Sequence, residues 1–191
     1  MVIRYCSPTP LITRTGNRLT VDAATELDHL ILRAIREGLE GMTAFSGIPG
    51  TVGGGLAGNA GAYGQQISSP LIELTILKPD GKTVTLPKEA VRFEYRDSEI
   101  KHNGDIILSA VFELKPDVDA EAMTRARDTI IATRKSKHGT WQEAPSAGSF
   151  FRNVLPSSKA ARRESAGRFL EQAGAKAMRV GGAHTYEKHA N

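Results

Sequence analysis

Cysteine is all but absent: Cys6 is the single one among 191 residues. One thiol excludes an internal disulfide and fits a reducing compartment. Aromatic residues are sparse at 6%, with one tryptophan, and no nucleic-acid module accompanies the basic residues gathered between Arg125 and Arg179. The net charge of +4 is therefore a weak pointer to an anionic ligand, not to nucleic acid. No apolar run approaches the ~20 residues of a membrane span, and no apolar core follows Met1-Val2-Ile3-Arg4 as a signal peptide requires. Internal repeats and low-complexity tracts are also missing. The hydrophobic share of 40% and charged share of 24% are ordinary for a globular chain of one large or two small domains.

What is present is concentrated in Gly47–Gly64, which reads G-I-P-G-T-V-G-G-G-L-A-G-N-A-G-A-Y-G and holds 8 of the 19 glycines. Helix and strand interiors do not sustain that density, because each glycine loses more backbone entropy than other residues. The segment is expected to be a loop, or a loop entering a short helix. It carries no charge and is interleaved with Ile48, Val52, Leu56 and Tyr63, unlike the Ser- and charge-rich composition of a flexible linker. Bare consecutive N–H groups would form an anion nest suited to a pyrophosphate. A Gly-rich surface linker is the plain alternative. The Rossmann fingerprint is not met, and no Lys-Ser or Lys-Thr follows the glycines as in a P-loop.

Around it the pattern predicts short strands at Val2–Tyr5, Leu11–Thr15 and Arg18–Asp22, with Gly16-Asn17 as a turn. Leu27, Leu30, Ile31, Ala34 and Ile35 recur at helical spacing and predict a helix over Thr25–Glu37, capped by Thr25 with Asp28 and ended by Gly38 or Gly41. Leu71–Lys78 and Thr83–Leu86 flank Pro79-Asp80-Gly81-Lys82, a hairpin signal. Lys88–Val91 reads as one helical turn. Asp105–Leu114 is almost continuously apolar and is expected to be buried on both faces. Lys115-Pro116-Asp117 is the expected boundary, followed by a helix over Ala120–Lys137 and an irregular His138–Ala147. A second helix is expected over Ser165–Ala173, with Ala166, Phe169, Leu170 and Ala173 inward and Gly174 as its stop. A Gly181-Gly182 turn follows. The class is α+β: strands on both sides of one helix in residues 1–116, then a smaller mixed unit over 117–191.

Three further stretches carry chemistry. Tyr95-Arg96-Asp97-Ser98 sets a guanidinium beside an aromatic, where it can hold a carboxylate or phosphate bidentately or simply pair with Asp97 or Glu99. Ser149, between Gly148 and Phe150-Phe151, is expected at a dry, tight place, as a proton donor or as a turn cap. It is not a nucleophile elbow. His184, Glu187 and His189 do not have metal-ligand spacing, and no metal is expected. A polar binding edge is the better reading there.

In order, G-I-P-G-T-V-G-G with N-A-G-A-Y-G, Y-R-D-S, S-A-G-S-F-F-R-N, S-A-G-R-F-L-E-Q-A-G and G-G-A-H-x-x-E-K-H-A-N resemble the motif series of the UDP-N-acetylenolpyruvoylglucosamine reductases, the MurB-type flavoenzymes of peptidoglycan precursor synthesis, in their shorter subtype. The resemblance covers nearly the whole chain. It implies a flavin-linked-oxidase-type FAD-binding domain over 1–116 and a substrate domain over 117–191, with hydride passing from NADPH through FAD to the enolpyruvyl group of a UDP-sugar. By motif match, Ser149 is the implied proton donor and Arg96 the implied stabiliser of the enolate and carboxylate. Gly47, Ile48, Pro49, Gly50, Thr51, Val52, Gly53, Gly54, Asn59, Ala60 and Gly61 match the flavin-contacting positions. Tyr95, Arg152 and Asn153 match positions at the substrate. A cytoplasmic monomer is implied.

There are departures. The family's opening subdomain, with its own Gly-rich turn, is expected before the V-I-R strand at which this chain starts. A family motif bearing a catalytic Glu is expected beyond Asn191, and Glu187 does not take that role. The stretch Val154–Glu164 is longer than the family's usual link and carries Lys159, Arg162 and Arg163. The expectation is a chain truncated at both ends, with FAD retained weakly or not at all. A shortened binding module and another flavin-linked oxidase remain the alternative readings.

Overall fold

Two hairpins and one long strand make a five-stranded antiparallel sheet in the order β1 (Ile12–Thr15), β2 (Arg18–Asp22), β9 (Ile106–Glu113), β5 (Leu71–Leu77), β6 (Thr83–Pro87). The structure, a computed structural model, describes residues 5–6, 11–138, 148–155 and 163–191. Most of the strand expected over Val2–Tyr5, and the irregular stretch except His138, lie outside those residues. β1 (Ile12–Thr15) turns into β2 (Arg18–Asp22) at Gly16, whose φ of 62° needs glycine or a residue tolerant of the left-handed region. Then come α1 (Leu27–Arg36), α2 (Val52–Ala57), and the two-residue strands β3 (Gly61–Ala62) and β4 (Gln65–Gln66). The expected hairpin forms as β5 (Leu71–Leu77) and β6 (Thr83–Pro87), closed by Gly81 N–H donating to the Lys78 carbonyl. The small hairpin of β7 (Phe93–Glu94) and β8 (Asp97–Ser98), then α3 (Ile100–Asn103), lead into β9 (Ile106–Glu113) and α4 (Ala120–His138).

Alternation along β5 and β9 is broken twice. Ile72 is an extra residue on β5 and Leu108 an extra residue on β9, where the register shifts. These bulges let Leu71 with Leu74, and Ile107 with Ala110, reach the same core. They also correct the expectation for β9. It is not buried on both faces: Ile106 is 46% exposed and Leu108, Ser109 and Val111 are half-buried. The buried side chains of α1 (Leu27, Leu30, Ile31, Ala34, Ile35) join Leu19, Val21, Leu74, Ile76 and Phe112 in one core, so helices cover one face of the sheet. The other face carries the half-polar row Ser109, Thr75 and Thr85.

Thr25 does not cap α1. The N-cap is Glu26, without a side-chain bond, and the buried Thr25 hydroxyl has no partner among the described residues. The turn at residues 23–25 and the extended Glu26 are used instead for tertiary pairing, and Asp28 turns to Arg127, whose Nη2 lies 2.9 Å from both carboxylate oxygens. By its internal contacts the chain forms two units, Met1–Ala132 and Thr133–Asn191. Met123, 3% exposed, lies in the core of the first unit, which keeps the first half of α4 with it.

In the second unit Val154 and Glu164 exchange backbone hydrogen bonds at 3.0 and 2.7 Å, α5 (Ala166–Gln172) follows, and β10 (Arg179–Val180) pairs with β11 (Ala183–His184) across Gly181. Gly174 ends α5 with φ of 80°, as expected. The expected inward face does not hold: Ala166 is buried, but Phe169 is 37% exposed and Ala173 is exposed. A short helix buries one stripe only where something packs on it, and of the expected face Ala166 is buried and Leu170 half-buried. Among the described residues no helix is long and apolar enough to cross a membrane.

Candidate functional site

The Gly-rich segment is stitched to the end of β2 and the start of α1. The bulged Leu108 carbonyl accepts from Ala23 N–H, and the Ala23 carbonyl accepts from Gly53 N–H, both at 2.9 Å. Val52 N–H donates to Thr25 and Leu27 N–H to Gly50, at 2.8 and 2.9 Å. Thr51 caps α2, its hydroxyl accepting from Gly54 N–H at 3.2 Å. These bonds change the expected anion nest. The N–H groups of Val52, Gly53, Gly54 and Gly55 are all engaged within the protein. Those of Gly47, Gly50 and Thr51 find no acceptor among the described residues. The open donors therefore precede α2 and do not run along it.

The glycines divide by task. A Cβ at Gly53 would lie 2.9 Å from the Ala23 Cβ, and one at Gly55 would lie 3.1 Å from Ile67 Cδ1, so both permit close packing. Gly47 and Gly50 have φ of 75° and 116°, and a Cβ at Gly50 meets nothing within 4 Å. Open space and the open donors of Gly50 and Thr51 coincide in a groove of about 490 Å3 lined by Tyr5, Cys6, Ala24, Glu26, Asp28, His29 and residues 48–51. The Asp28 carboxylate on its wall is balanced by Arg127. Tyr5 approaches Asp22, and burial first, then the Asp22 carboxylate, push its hydroxyl above the usual tyrosine range. Glycine-lined space with free N–H donors fits the phosphate portion of a dinucleotide cofactor such as FAD.

Arg96 is brought to this segment by the β7–β8 hairpin, whose two-residue loop is Tyr95-Arg96. Arg96 has φ of 58°, a left-handed conformation that costs about 1 kcal/mol for a non-glycine residue. Two bonds hold the hairpin there: Ser98 Oγ donates to the Ala57 carbonyl at 2.7 Å, and Asn59 Nδ2 donates to the Glu94 carbonyl at 2.8 Å. A Cβ on Gly61 would stand 3.1 Å from the Gln65 carbonyl oxygen and 3.3 Å from Arg96 Nη1, so its absence leaves room first for the β3–β4 turn and then for the guanidinium against the segment. The Tyr95 ring lies 5.7 Å from the guanidinium carbon. Asp97 is approached by His102 at 3.0 and 3.1 Å. That hydrogen bond is the largest cause holding its carboxyl below the usual aspartate value, with the His102 and Lys101 charges adding to it.

Ser149, Arg152 and Asn153 belong to the second unit. Ser146 and Ala147 lie outside the described residues. Ser149 is exposed, as are Phe150 at 87% and Phe151 at 53%, so within this unit the serine does not occupy the dry place the sequence suggested. The two rings meet edge to face, centroids 5.0 Å apart. Asn153 Oδ1 accepts from Ala166 N–H at 3.2 Å at the start of α5, where Ser165 makes no cap. Asn191 clamps Phe151 through two backbone bonds. Sequence reasoning assigned no role to Asn191, Gln66 or Ser98. The asparagine and serine stood in the quoted motifs, but spacing alone does not reveal what each one bonds.

Comparison with known proteins agrees with both halves. Residues 11–87 match the family model for an FAD binding domain, and residues 140–191 match that for the UDP-N-acetylenolpyruvoylglucosamine reductase C-terminal domain. The fold is thus α+β, part of an FAD-binding domain followed by a reductase C-terminal domain. The UDP-N-acetylenolpyruvoylglucosamine reductase of Synechocystis sp. is 35% identical over 175 residues, 91% of this chain and 52% of that protein. That of Bacillus pumilus is 36% identical over 181 residues, 94% of this chain and 56% of that protein. A crystal structure of the reductase from Thermus caldophilus superposes with a TM-score of 0.75 at 30% identity, over 90% of this chain and 59% of that one. The chain belongs to the UDP-N-acetylenolpyruvoylglucosamine reductase (MurB) family. It spans about half the length of the curated relatives it matches.

Proposed function

We propose that this chain carries the flavin loop and part of the substrate machinery of an NADPH-dependent reductase that converts the enolpyruvyl ether of UDP-N-acetylglucosamine to UDP-N-acetylmuramate. FAD, when bound, supplies the hydride, taken from NADPH and delivered to the terminal carbon of the enolpyruvyl double bond. The pair of electrons left on the neighbouring carbon spreads into the carboxylate as an enolate. Arg96 offsets that charge with its guanidinium. Ser149 gives its hydroxyl proton to the same carbon, completing addition of one hydride and one proton. The open N–H groups of Gly50 and Thr51 hold cofactor phosphate, with Gly47, Ile48, Pro49, Val52, Gly53, Gly54, Ala60 and Gly61 shaping the loop around it. Tyr95, Arg152 and the Asn153 amide contact the UDP-sugar. The functional division follows Lys115–Asp117, and a cytoplasmic monomer belongs to the same reading.

The observation that supports it most is Arg96, held in a left-handed conformation against Gly61 of the segment whose open face carries the phosphate donors. The test uses the complete gene product loaded with FAD. NADPH consumption is expected to depend on the enolpyruvyl UDP-sugar and to match it mole for mole. Equal NADPH oxidation with and without the sugar overturns the proposal.

A further inference from the structure

Asn59 is 1% exposed and follows the end of α2 in a left-handed conformation, φ 42°, which asparagine tolerates better than other side chains. Its Nδ2 donates to two acceptors, Gln66 Oε1 and the Glu94 carbonyl, both at 2.8 Å. The Glu94 carbonyl can only accept, so the amide orientation follows from the network. Its Oδ1 is buried and partnerless among the described residues. A buried amide that leaves its oxygen unsatisfied while placing both protons is fixed by what those protons hold. Here those are the Gln66 side chain and the Glu94 carbonyl, and Glu94 precedes the Tyr95-Arg96 loop, where an arginine is kept at φ 58°. The Ser98–Ala57 bond holds the hairpin's far strand, and Asn59 holds its near strand.

We propose that Asn59 is a positioning residue for Arg96, fixing the hairpin loop that presents the guanidinium, in place of the flavin contact its motif position implied. The inference rests on the proposed role of Arg96 at the substrate. Two variants separate the contributions. Asn59→Asp keeps shape and backbone tolerance but sets an acceptor against two acceptors, and Asn59→Gly keeps the left-handed φ and deletes the amide.

The first measurement is amide hydrogen exchange of the protein without cofactor. Both variants are expected to speed exchange across residues 93–98 by about tenfold, leaving β2, β5 and β9 unchanged. The second uses the FAD-loaded protein: the enolpyruvyl sugar is expected to be reduced about tenfold more slowly, while flavin reduction by NADPH and FAD affinity stay within about twofold. In an Arg96→Gln background, Asn59→Asp is expected to add nothing further, because the group it positions is gone. Unchanged exchange at 93–98, equal loss in both half-reactions, weakened FAD binding alone, or additive effects with Arg96→Gln would each overturn the inference. If Arg96→Gln leaves sugar reduction intact, the proposed role of Arg96 falls, while the exchange result still decides whether Asn59 orders the loop.

Discussion

Asn191 and Phe151, forty positions apart, form a two-way pair: Phe151 N–H donates to Asn191 Oδ1 at 2.7 Å, and Asn191 Nδ2 donates to the Phe151 carbonyl at 2.9 Å. The side-chain amide copies the donor and acceptor of a neighbouring strand. It satisfies the backbone of a segment whose phenylalanines are otherwise exposed within this unit. Asn191→Ala is therefore expected to speed amide exchange at Phe151 about three- to tenfold, in line with a net ~0.5–1.5 kcal/mol for a neutral hydrogen bond. Unaltered exchange there would show that the pair does not order the segment.

Gly53 and Gly54 are adjacent in α2 and give opposite predictions. A Cβ on Gly53 meets the Ala23 Cβ at 2.9 Å and the Ala23 carbonyl oxygen at 3.2 Å, backbone that cannot yield cheaply. Gly53→Ala is expected to destabilise by about 1–3 kcal/mol. A Cβ on Gly54 meets only Thr51 Oγ1, at 3.4 Å. Gly54→Ala is expected to be neutral or to stabilise by up to ~1 kcal/mol, since alanine loses less backbone entropy in a helix. Urea unfolding of the two variants decides, and equal midpoints would remove the close approach as the reason for Gly53.

Ser149→Ala in the complete gene product is expected to slow reduction of the enolpyruvyl sugar by about 10^2-fold or more, the range for loss of a general acid. Flavin reduction by NADPH should stay near normal, because that half-reaction needs no proton at the sugar carbon. Unchanged turnover removes Ser149 from its proposed role.

Asp97 has its folded-state pKa lowered, chiefly by the His102 hydrogen bond. Its contribution to the β8–α3 segment is therefore fully present above the ordinary aspartate value of about 3.9 and lost as pH falls through the lower folded value. An NMR titration of the Asp97 carboxyl is expected to give a midpoint below ~3.9 that returns toward that value in His102→Ala. An ordinary midpoint in the unmodified protein would contradict the contact.

Much of the fold was legible because it rests on local chemistry. The stripe of Leu27, Leu30, Ile31, Ala34 and Ile35 specified α1, and Pro79-Asp80-Gly81 specified the β5–β6 hairpin. What was not legible depends on partners far along the chain. Thr25 is a good cap by sequence, yet its carbonyl accepts from Val52 and its hydroxyl is left over. The bulges at Ile72 and Leu108 are register choices that no single strand's pattern records. Phe169 and Ala173 have helical spacing but are exposed within their unit.

The sequence by itself determined the α+β class and the family, because ordered motifs and turn residues are properties of short stretches. It also singled out the segment from Gly47 to Gly64. Only the tertiary structure decided how that segment is used. Gly53 and Gly55 bring backbone against Ala23 and Ile67, whereas Gly50 lines the open groove with an N–H that finds no acceptor among the described residues. Asn59 places its amide on Gln66 and on Glu94, 35 positions away, and Gly61 leaves room for the Gln65 carbonyl and the Arg96 guanidinium. The physical reason is that hydrogen-bond satisfaction and close packing are settled between distant residues, and a glycine's task depends on which neighbour the fold places beside it.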